Sequence, residues 1–448
     1  MPGDSGADPE VRGLATMHTA DVRSPLYARR LASVNVTRCT MSNQRPAYPI
    51  APASAEDLPA FERATALAFG ETLDDDEVAH YVELSDADRT LVARDGDLIV
   101  ATTQHIDFTV SVPFAPPVWC PGITSVGVRP THRRRGILTS LMRHQIDDLR
   151  GRGAAWAALY ASEAAIYGRF GFGVASRSVN FAIERPWGGF DHRDAPLEAE
   201  LLDAEQALAR VPAVYEAARA TVPGMMSSPE LWWRHRLQWD PASDRDGASQ
   251  RFIVAVGDRA YALYRVKQAW SDTGPDSTLR IEECVAADPA AYRQLWAYLF
   301  GVDLVQRVTA DQMAVDDPLP WWLRDRTKLR ITEGIPGYVR LIDVGAALSQ
   351  RGTRATGAVV LDVTDAFCPA NAGRWRLTGD GAMLRAERAD APADVALDVR
   401  ELASLSLGGV SASQLVHAGV VEERTSGARQ RLDALLASDR AAWNPFIY

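Results

Sequence analysis

Cysteine is scarce in the 448-residue sequence: Cys39, Cys120, Cys284 and Cys368 are scattered, with no CxxC or other ligand-like spacing. This argues against a disulfide framework or a zinc site and fits a reducing, cytoplasmic setting. The eight histidines form no HExxH or comparable cluster, so no metal is expected. No run of about 18 apolar residues occurs, so no membrane partner is expected either. Positive charge is also in short supply, with 48 Lys+Arg against 58 Asp+Glu, a formal net charge of -10 and a pI near 5.4. Nucleic acid, which needs a basic face, is therefore not an expected partner, and the acidity weakly favours a cationic substrate. Both common nucleotide fingerprints, GxxxxGK[ST] and GxGxxG, are missing from the strand-to-helix junctions.

The composition that remains, 47% hydrophobic and 24% charged, is that of an ordinary globular protein. The length suggests about three domains. Residues 1–47 carry early acids and no apolar signal core, and are expected to form a poorly ordered extension with Met41 as an alternative start. A first block, 48–194, opens with "SAEDLPAF", where Ser54 is placed to cap a helix. Two apolar runs around Asp95-Gly96 predict a hairpin. An apolar strand near 123–128, a helix from about Gly136 and the strand "AAWAALYAS" then make a β-α-β unit. The second block, 195–335, repeats strand, helix and strand through "STLRIEECVAAD", "PAAYRQLWAYLFG" and "DLVQRVTA". The third, 336–448, alternates apolar and polar residues in "AVVLDVTDAF", "GRWRLTG", "AMLRAER" and "VALDVRELASL", which predicts a small antiparallel sheet with helices. An α/β (α+β) chain of three folded units is the expected architecture. Its tail, "RAAWNPFIY", stays apolar where tails usually turn polar, which suggests burial.

Chemistry concentrates in "SVGVRPTHRRRGILTSLMRHQI". A strand, a short loop and a helix starting at Gly136 present successive backbone N–H groups at a helix N-terminus, a ready anion site. Arg133, Arg134 and Arg135 add positive charge, and Gly136 removes a Cβ from the path of a bulky diphosphate. Taken alone, the same arginines also read as a solvated charged loop. A diphosphate ligand without a nucleotide fingerprint points to coenzyme A.

"VGVRPTHRRRGIL" resembles the acetyl-coenzyme A loop of the Gcn5-related (GNAT) N-acetyltransferases, [QR]xxGx[GA], which Arg133, Arg134, Arg135, Gly136 and Ile137 match. Leu138 departs from the final small residue. With "AALYASEAAIYGRFGFGVAS", the stretch is similar to the enhanced intracellular survival (Eis) branch of actinobacterial acetyltransferases, where a bulky residue follows the glycine. The likeness extends over about 48–448, including "YALYRV", "DDPLPWWLRDRTKLR" and the aromatic tail. It implies two tandem GNAT-like domains, the second degenerate, followed by a sterol-carrier-protein-like domain; the second block independently lacks an arginine–glycine loop.

The resemblance also implies roles. Val126, Gly127 and Val128 would bond the pantetheine arm through their backbone, although as strand residues they also read as core. Arg133 to Arg135, Gly136, Ile137, Leu138 and Thr139 would hold the pyrophosphate, and Ser162 and Glu163 would make further coenzyme contacts. Tyr167 in "IYGRFGF" would be the general acid; read alone it is a core tyrosine. The carboxylate of Tyr448 would help deprotonate the acceptor amine, although the tail also reads as packed on its own domain. Phe69 and Glu71 in "AFGETLDDDE" would line the acceptor cleft, while Asp74–Asp76 read as a solvated helix start. Acetyl-CoA and cationic amines, with aminoglycosides first, are the implied substrates, and a homohexamer the implied assembly. Peptide lysines, or a non-catalytic apolar-ligand binder, remain the alternatives.

Overall fold

In the computed structural model of this chain, residues 48–190 and 198–448 are described. The expected N-terminal extension, with Cys39 and Met41, lies outside them. The first seven-stranded sheet runs, edge to edge, through Ile50–Pro52, Thr90–Asp95, Leu98–Ile106, Gly122–Val128, Trp156–Tyr160, Gly337–Leu341 and Gly173–Ser176. The hairpin predicted at Asp95-Gly96 forms, with Asp95 paired to Leu98. Gly96 takes φ +58 there, a left-handed conformation that glycine adopts without steric cost.

The second seven-stranded sheet runs through Ala199–Leu202, Phe252–Val256, Ala260–Lys267, Ser277–Ala286, Val305–Ala314, Ser178–Glu184 and Arg330–Glu333. Sheet membership cuts across the boundaries expected at 194/195 and 335/336. Ser178–Glu184, from the first block, pairs antiparallel with Val305–Ala314. In return Gly337–Leu341 enters the first sheet between Trp156–Tyr160 and Gly173–Ser176. The first block therefore gives a strand to the second sheet, and the first sheet takes one from the start of the third block, non-local pairings that alternation along the chain does not encode.

The third unit has a five-stranded sheet, ordered Leu384–Arg388, Gly373–Asp380, Thr356–Thr364, Val395–Asp398 and Glu422–Glu423. It is not wholly antiparallel, because Leu361 to Thr364 run parallel to Val395 to Asp398. "VALDVRELASL" is strand only to Asp398, whose carboxylate accepts a hydrogen bond from the Arg400 N–H and starts the helix Val399–Leu405. No helix among the described residues is long and apolar enough to cross a membrane.

Two helices matter for the site. Ile137–Gly151 buries Ile137, Leu141, Met142, Ile146 and Leu149 against the first sheet. Each such side chain contributes on the order of 1.5–3 kcal/mol, which fixes the helix start in place. Leu58–Phe69 crosses the same sheet, and Gly127 makes that approach possible: a Cβ there would lie 2.7 Å from the Ala68 Cβ.

Candidate active site

The strand Gly122–Val128 pairs parallel with Trp156–Tyr160 only at Gly122 and Ala158, then the two diverge. The wedge they open is floored by the arginine loop and holds a cavity of about 800 Å³. Val126, Gly127, Val128, Arg133, Arg134, Gly136, Ile137, Leu138 and Thr139 line it from one side. Ser162, Glu163 and Tyr167 line it from the turn that follows Tyr160. Every residue expected to contact the coenzyme faces this cleft except Arg135.

Arg135 is the one residue of the expected set that does not line the cavity. Its guanidinium donates to the Tyr48 hydroxyl and to the Thr131 carbonyl, away from the cavity, and so ties the loop to Tyr48 at the start of the described residues. Arg133 is pinned as well, donating to Val128 O (3.3 Å) and Ala68 O (2.8 Å) at the cavity rim. Arg134 is exposed and makes no side-chain hydrogen bond or ion pair with any described residue, so its charge is uncommitted. It takes φ +64 and Gly136 takes φ +81. A Cβ on Gly136 would meet no protein atom within 4 Å. The glycine is therefore set by backbone conformation, and the space beside it is open to a ligand. As N-cap it offers no side-chain acceptor, and the first-turn N–H groups of the helix have no side-chain cap among the described residues.

The corresponding junction in the second unit is chemically closed. Asp288 caps Pro289–Gly301 by accepting from the Ala291 N–H at 2.9 Å, so a carboxylate already occupies the positive end of that helix.

Tyr167 lies in the short helical turn Ala164–Phe170 and is 8% exposed, its ring edge-on to Phe170 and Phe172. Burial, reinforced by the neighbouring Glu163 carboxylate, pushes its phenol up to about 12. The hydroxyl is committed to no described partner. Tyr167 also lines a second, smaller space of about 170 Å³, shared with Phe69, Ser125, Val126, Ser162 and Tyr448. Tyr448 reaches this junction from the other side, its ring 4.8 Å from Phe108 and 5.4 Å from Tyr160 between centroids. Gly122 makes room for it, since a Cβ there would lie 2.5 Å from the Tyr448 ring. The Tyr448 hydroxyl is buried without a partner among the described residues, and desolvation raises its pKa far above the usual phenol range.

Beyond the junction lies a pocket of about 290 Å³. Phe69 and Glu71 both line it, and Phe69 borders all three spaces. Asp74 is the solvated helix start it was read to be, accepting from the Glu77 N–H at 2.8 Å.

Sequence reasoning missed several pocket residues. Glu62 is buried, its carboxylate accepts from the Ser85 hydroxyl at 2.6 Å, and burial raises its pKa. Its signal was present: Leu58, Phe61, Glu62, Thr65, Ala66 and Phe69 make one helical stripe with a single acid in it. Ser125 takes φ +54 at a strand irregularity, where Gln104 donates to its hydroxyl and Thr102 to its carbonyl, both at 2.9 Å. Trp232 and His235 come from the second unit, and no local pattern marks them. His235 is hydrogen-bonded to His80 at 2.8 Å, and burial first, then His80, lowers its pKa to about 4. This wall is therefore neutral near pH 7.

The chain matches known proteins along its length. An acetyltransferase (GNAT) domain model matches residues 49–175, a second such model 224–341, and a sterol carrier protein domain model 344–445. An uncharacterized N-acetyltransferase of Streptomyces coelicolor is 41% identical over 388 residues, 83% of this chain and 92% of that protein. The N-acetyltransferase Eis of Mycobacterium tuberculosis is 31% identical over 399 residues, 86% and 95% of the respective chains. The crystal structure of Eis1 from Mycobacterium abscessus superposes with a TM-score of 0.79 at 29% identity, covering 89% of this chain and 100% of that one.

Proposed function

This chain belongs to the Eis family of GNAT-type, acetyl-CoA-dependent N-acetyltransferases, and from that premise we propose that it acetylates primary amines of cationic small molecules, aminoglycosides foremost. The observation that carries this reading is that three neighbouring spaces share their walls. The wedge with the uncapped helix start shares Phe69 and Tyr167 with the junction space, which shares Phe69 and Tyr448 with a pocket bearing Glu62 and Glu71.

Acetyl-CoA supplies a thioester whose acyl carbon an uncharged amine can attack. The first-turn N–H groups at Gly136 to Thr139 and the free guanidinium of Arg134 suit its pyrophosphate, with Arg133 at the rim. The open backbone edge of Val126 to Val128 suits the pantetheine arm, and Ser162 and Glu163 face it. In the acceptor pocket Glu71 and Glu62 attract the ammonium form, and Phe69 offers a ring face to it. The attacking nitrogen must lose a proton. The terminal carboxylate of Tyr448 takes it, directly or through a relaying water. As the C–N bond forms and the C–S bond breaks, Tyr167 delivers its phenolic proton to the departing sulfur. Burial keeps that phenol protonated at every working pH. The hexamer expected from the resemblance belongs to the same proposal. Trp270 and Trp321, 69% and 76% exposed, offer apolar surface for assembly, which sedimentation velocity would read.

The test follows thiol release from acetyl-CoA with a panel of aminoglycosides, a lysine peptide, and no acceptor. Faster turnover with the aminoglycosides supports the proposal. Faster turnover with the peptide moves the chain to protein acetylation, and no release with any acceptor leaves it a binding protein.

A further inference from the structure

The second unit has a capped, closed helix start where the first has an open one, yet it contains a buried charge pair. Arg236, on the helix Glu230–Gln238, donates to the Glu283 carboxylate on the neighbouring strand. The Tyr261 hydroxyl donates to the other Glu283 oxygen. The two charged side chains are only 8% and 4% exposed, so this is no surface ion pair. The pair is also incompletely satisfied, because Arg236 Nη1 is buried with no hydrogen-bond partner among the described residues. What the guanidinium faces instead is aromatic: its carbon lies 4.4 Å from the Trp233 ring centroid and 4.1 Å from that of Phe446.

Phe446 belongs to the terminal strap, two residues before Tyr448. Most of the strap's other ties also lead to the second unit. Asp316 accepts from Arg440 (2.8 Å) and from the Ala441 N–H (3.1 Å), and the Trp443 indole donates to Gln312 O at 2.6 Å. Asn444 accepts from the Met226 N–H at 3.0 Å and donates to Phe446 O at 2.6 Å, which fixes the turn just ahead of the final residues. A desolvated cation over a ring face is a strong, orientation-dependent contact. Glu283 keeps Arg236 charged and aimed at that face.

We infer that the Arg236–Glu283 pair is a positioning device: it grips Phe446 and thereby seats Tyr448 in the junction beside Tyr167. The second unit has lost the features of a coenzyme site and serves as the clamp for the strap that completes the first unit's site. This rests on the proposed role of the terminal residue only for its catalytic consequence, not for the seating itself.

The test compares the intact wild-type chain with three variants. The double variant Arg236→Met/Glu283→Gln removes both charges without stranding one. Phe446→Leu removes the ring and leaves the pair intact, so it decides the matter if the double variant fails to fold. Arg236→Lys keeps a cation over the ring. Hydrogen exchange of the peptide spanning 441–448 is measured alongside acetyl-CoA affinity and kcat. Exchange at least tenfold faster in the first two variants, largely restored protection in Arg236→Lys, and acetyl-CoA affinity within about twofold of wild type are expected. A kcat loss of at least fivefold, larger than any change in acceptor KM, should accompany them. Unchanged strap exchange in folded Phe446→Leu and double-variant proteins would overturn the inference. Faster exchange with an unchanged kcat upholds the seating and refutes instead the catalytic role of the terminal residue.

Discussion

Replacing Tyr167 by phenylalanine removes one oxygen and leaves the ring contacts with Phe170 and Phe172 in place. Stability should therefore stay within about 0.5 kcal/mol of wild type, and acetyl-CoA affinity within about threefold. The loss should fall on kcat. A positioned general acid contributes roughly 10²–10⁴-fold. Under the proposed role the effect falls toward the lower end, because burial holds the phenol at about 12, about three and a half pKa units above an ordinary thiol near 8.5. Proton delivery to sulfur is then incomplete in the transition state. A kcat loss of about 10²–10³, or about 2.7–4 kcal/mol of barrier, is expected. The same shift has a pH signature: at pH 10 only about 1% of a phenol with a pKa of 12 is ionised, so wild-type kcat should show no fall near pH 10 from this group. Stopped-time thiol release across pH 6–10, with acetyl-CoA affinity measured by calorimetry, reads all three quantities. A kcat loss below fivefold, or one matched by lost coenzyme affinity, would refute the assignment.

Four further outcomes separate the roles of individual groups. Arg134→Gln should weaken acetyl-CoA binding by about 10–100-fold, the worth of one charge-assisted hydrogen bond of about 1.5–3 kcal/mol, without moving the melting temperature. Arg135→Ala should do the reverse, costing about 0.5–1 kcal/mol of stability through the lost Tyr48 tie while coenzyme affinity stays within about threefold, as calorimetry and melting curves would show. Asp317 is raised from 3.8 to about 6, chiefly by burial, with the Tyr292 hydroxyl bond opposing. The folded chain holds this proton more tightly than the unfolded one, so stability falls as pH rises from about 4 to about 6 and is flat above. Asp317→Asn should remove that slope and gain up to about 3 kcal/mol relative to wild type at pH 7, with little difference at pH 4. Residues appended after Tyr448 should lower kcat at least tenfold and spare acetyl-CoA binding; a fully active fusion would contradict the terminal base.

What was legible in the sequence was what is local. The Asp95-Gly96 hairpin, the Pro289–Gly301 helix and the arginine–glycine junction each depend on residues within a few positions of one another. The apolar tail pointed to burial, which holds for Trp443 and Phe446 at 8% and 7% exposure and not for Ile447 at 44%. What was not legible depends on distant partners. The placement of Ser178–Glu184 in the second sheet and of Gly337–Leu341 in the first is decided by pairing across more than a hundred residues. The outward turn of Arg135 depends on Tyr48, and the pocket wall of Trp232 and His235 on docking of the second unit. Glu62 stands between these cases, because its place in an apolar stripe was visible while its meaning required the pocket.

The most direct measurement is the position of a non-hydrolysable acetyl-CoA analogue in crystals of the intact chain. Its diphosphate should lie against the N–H groups of Gly136 to Thr139 with Arg134 closing on it, and its acyl carbon should point between Tyr167 and Tyr448. Density for the diphosphate elsewhere, with the loop unoccupied at saturating analogue, would contradict the proposed coenzyme site.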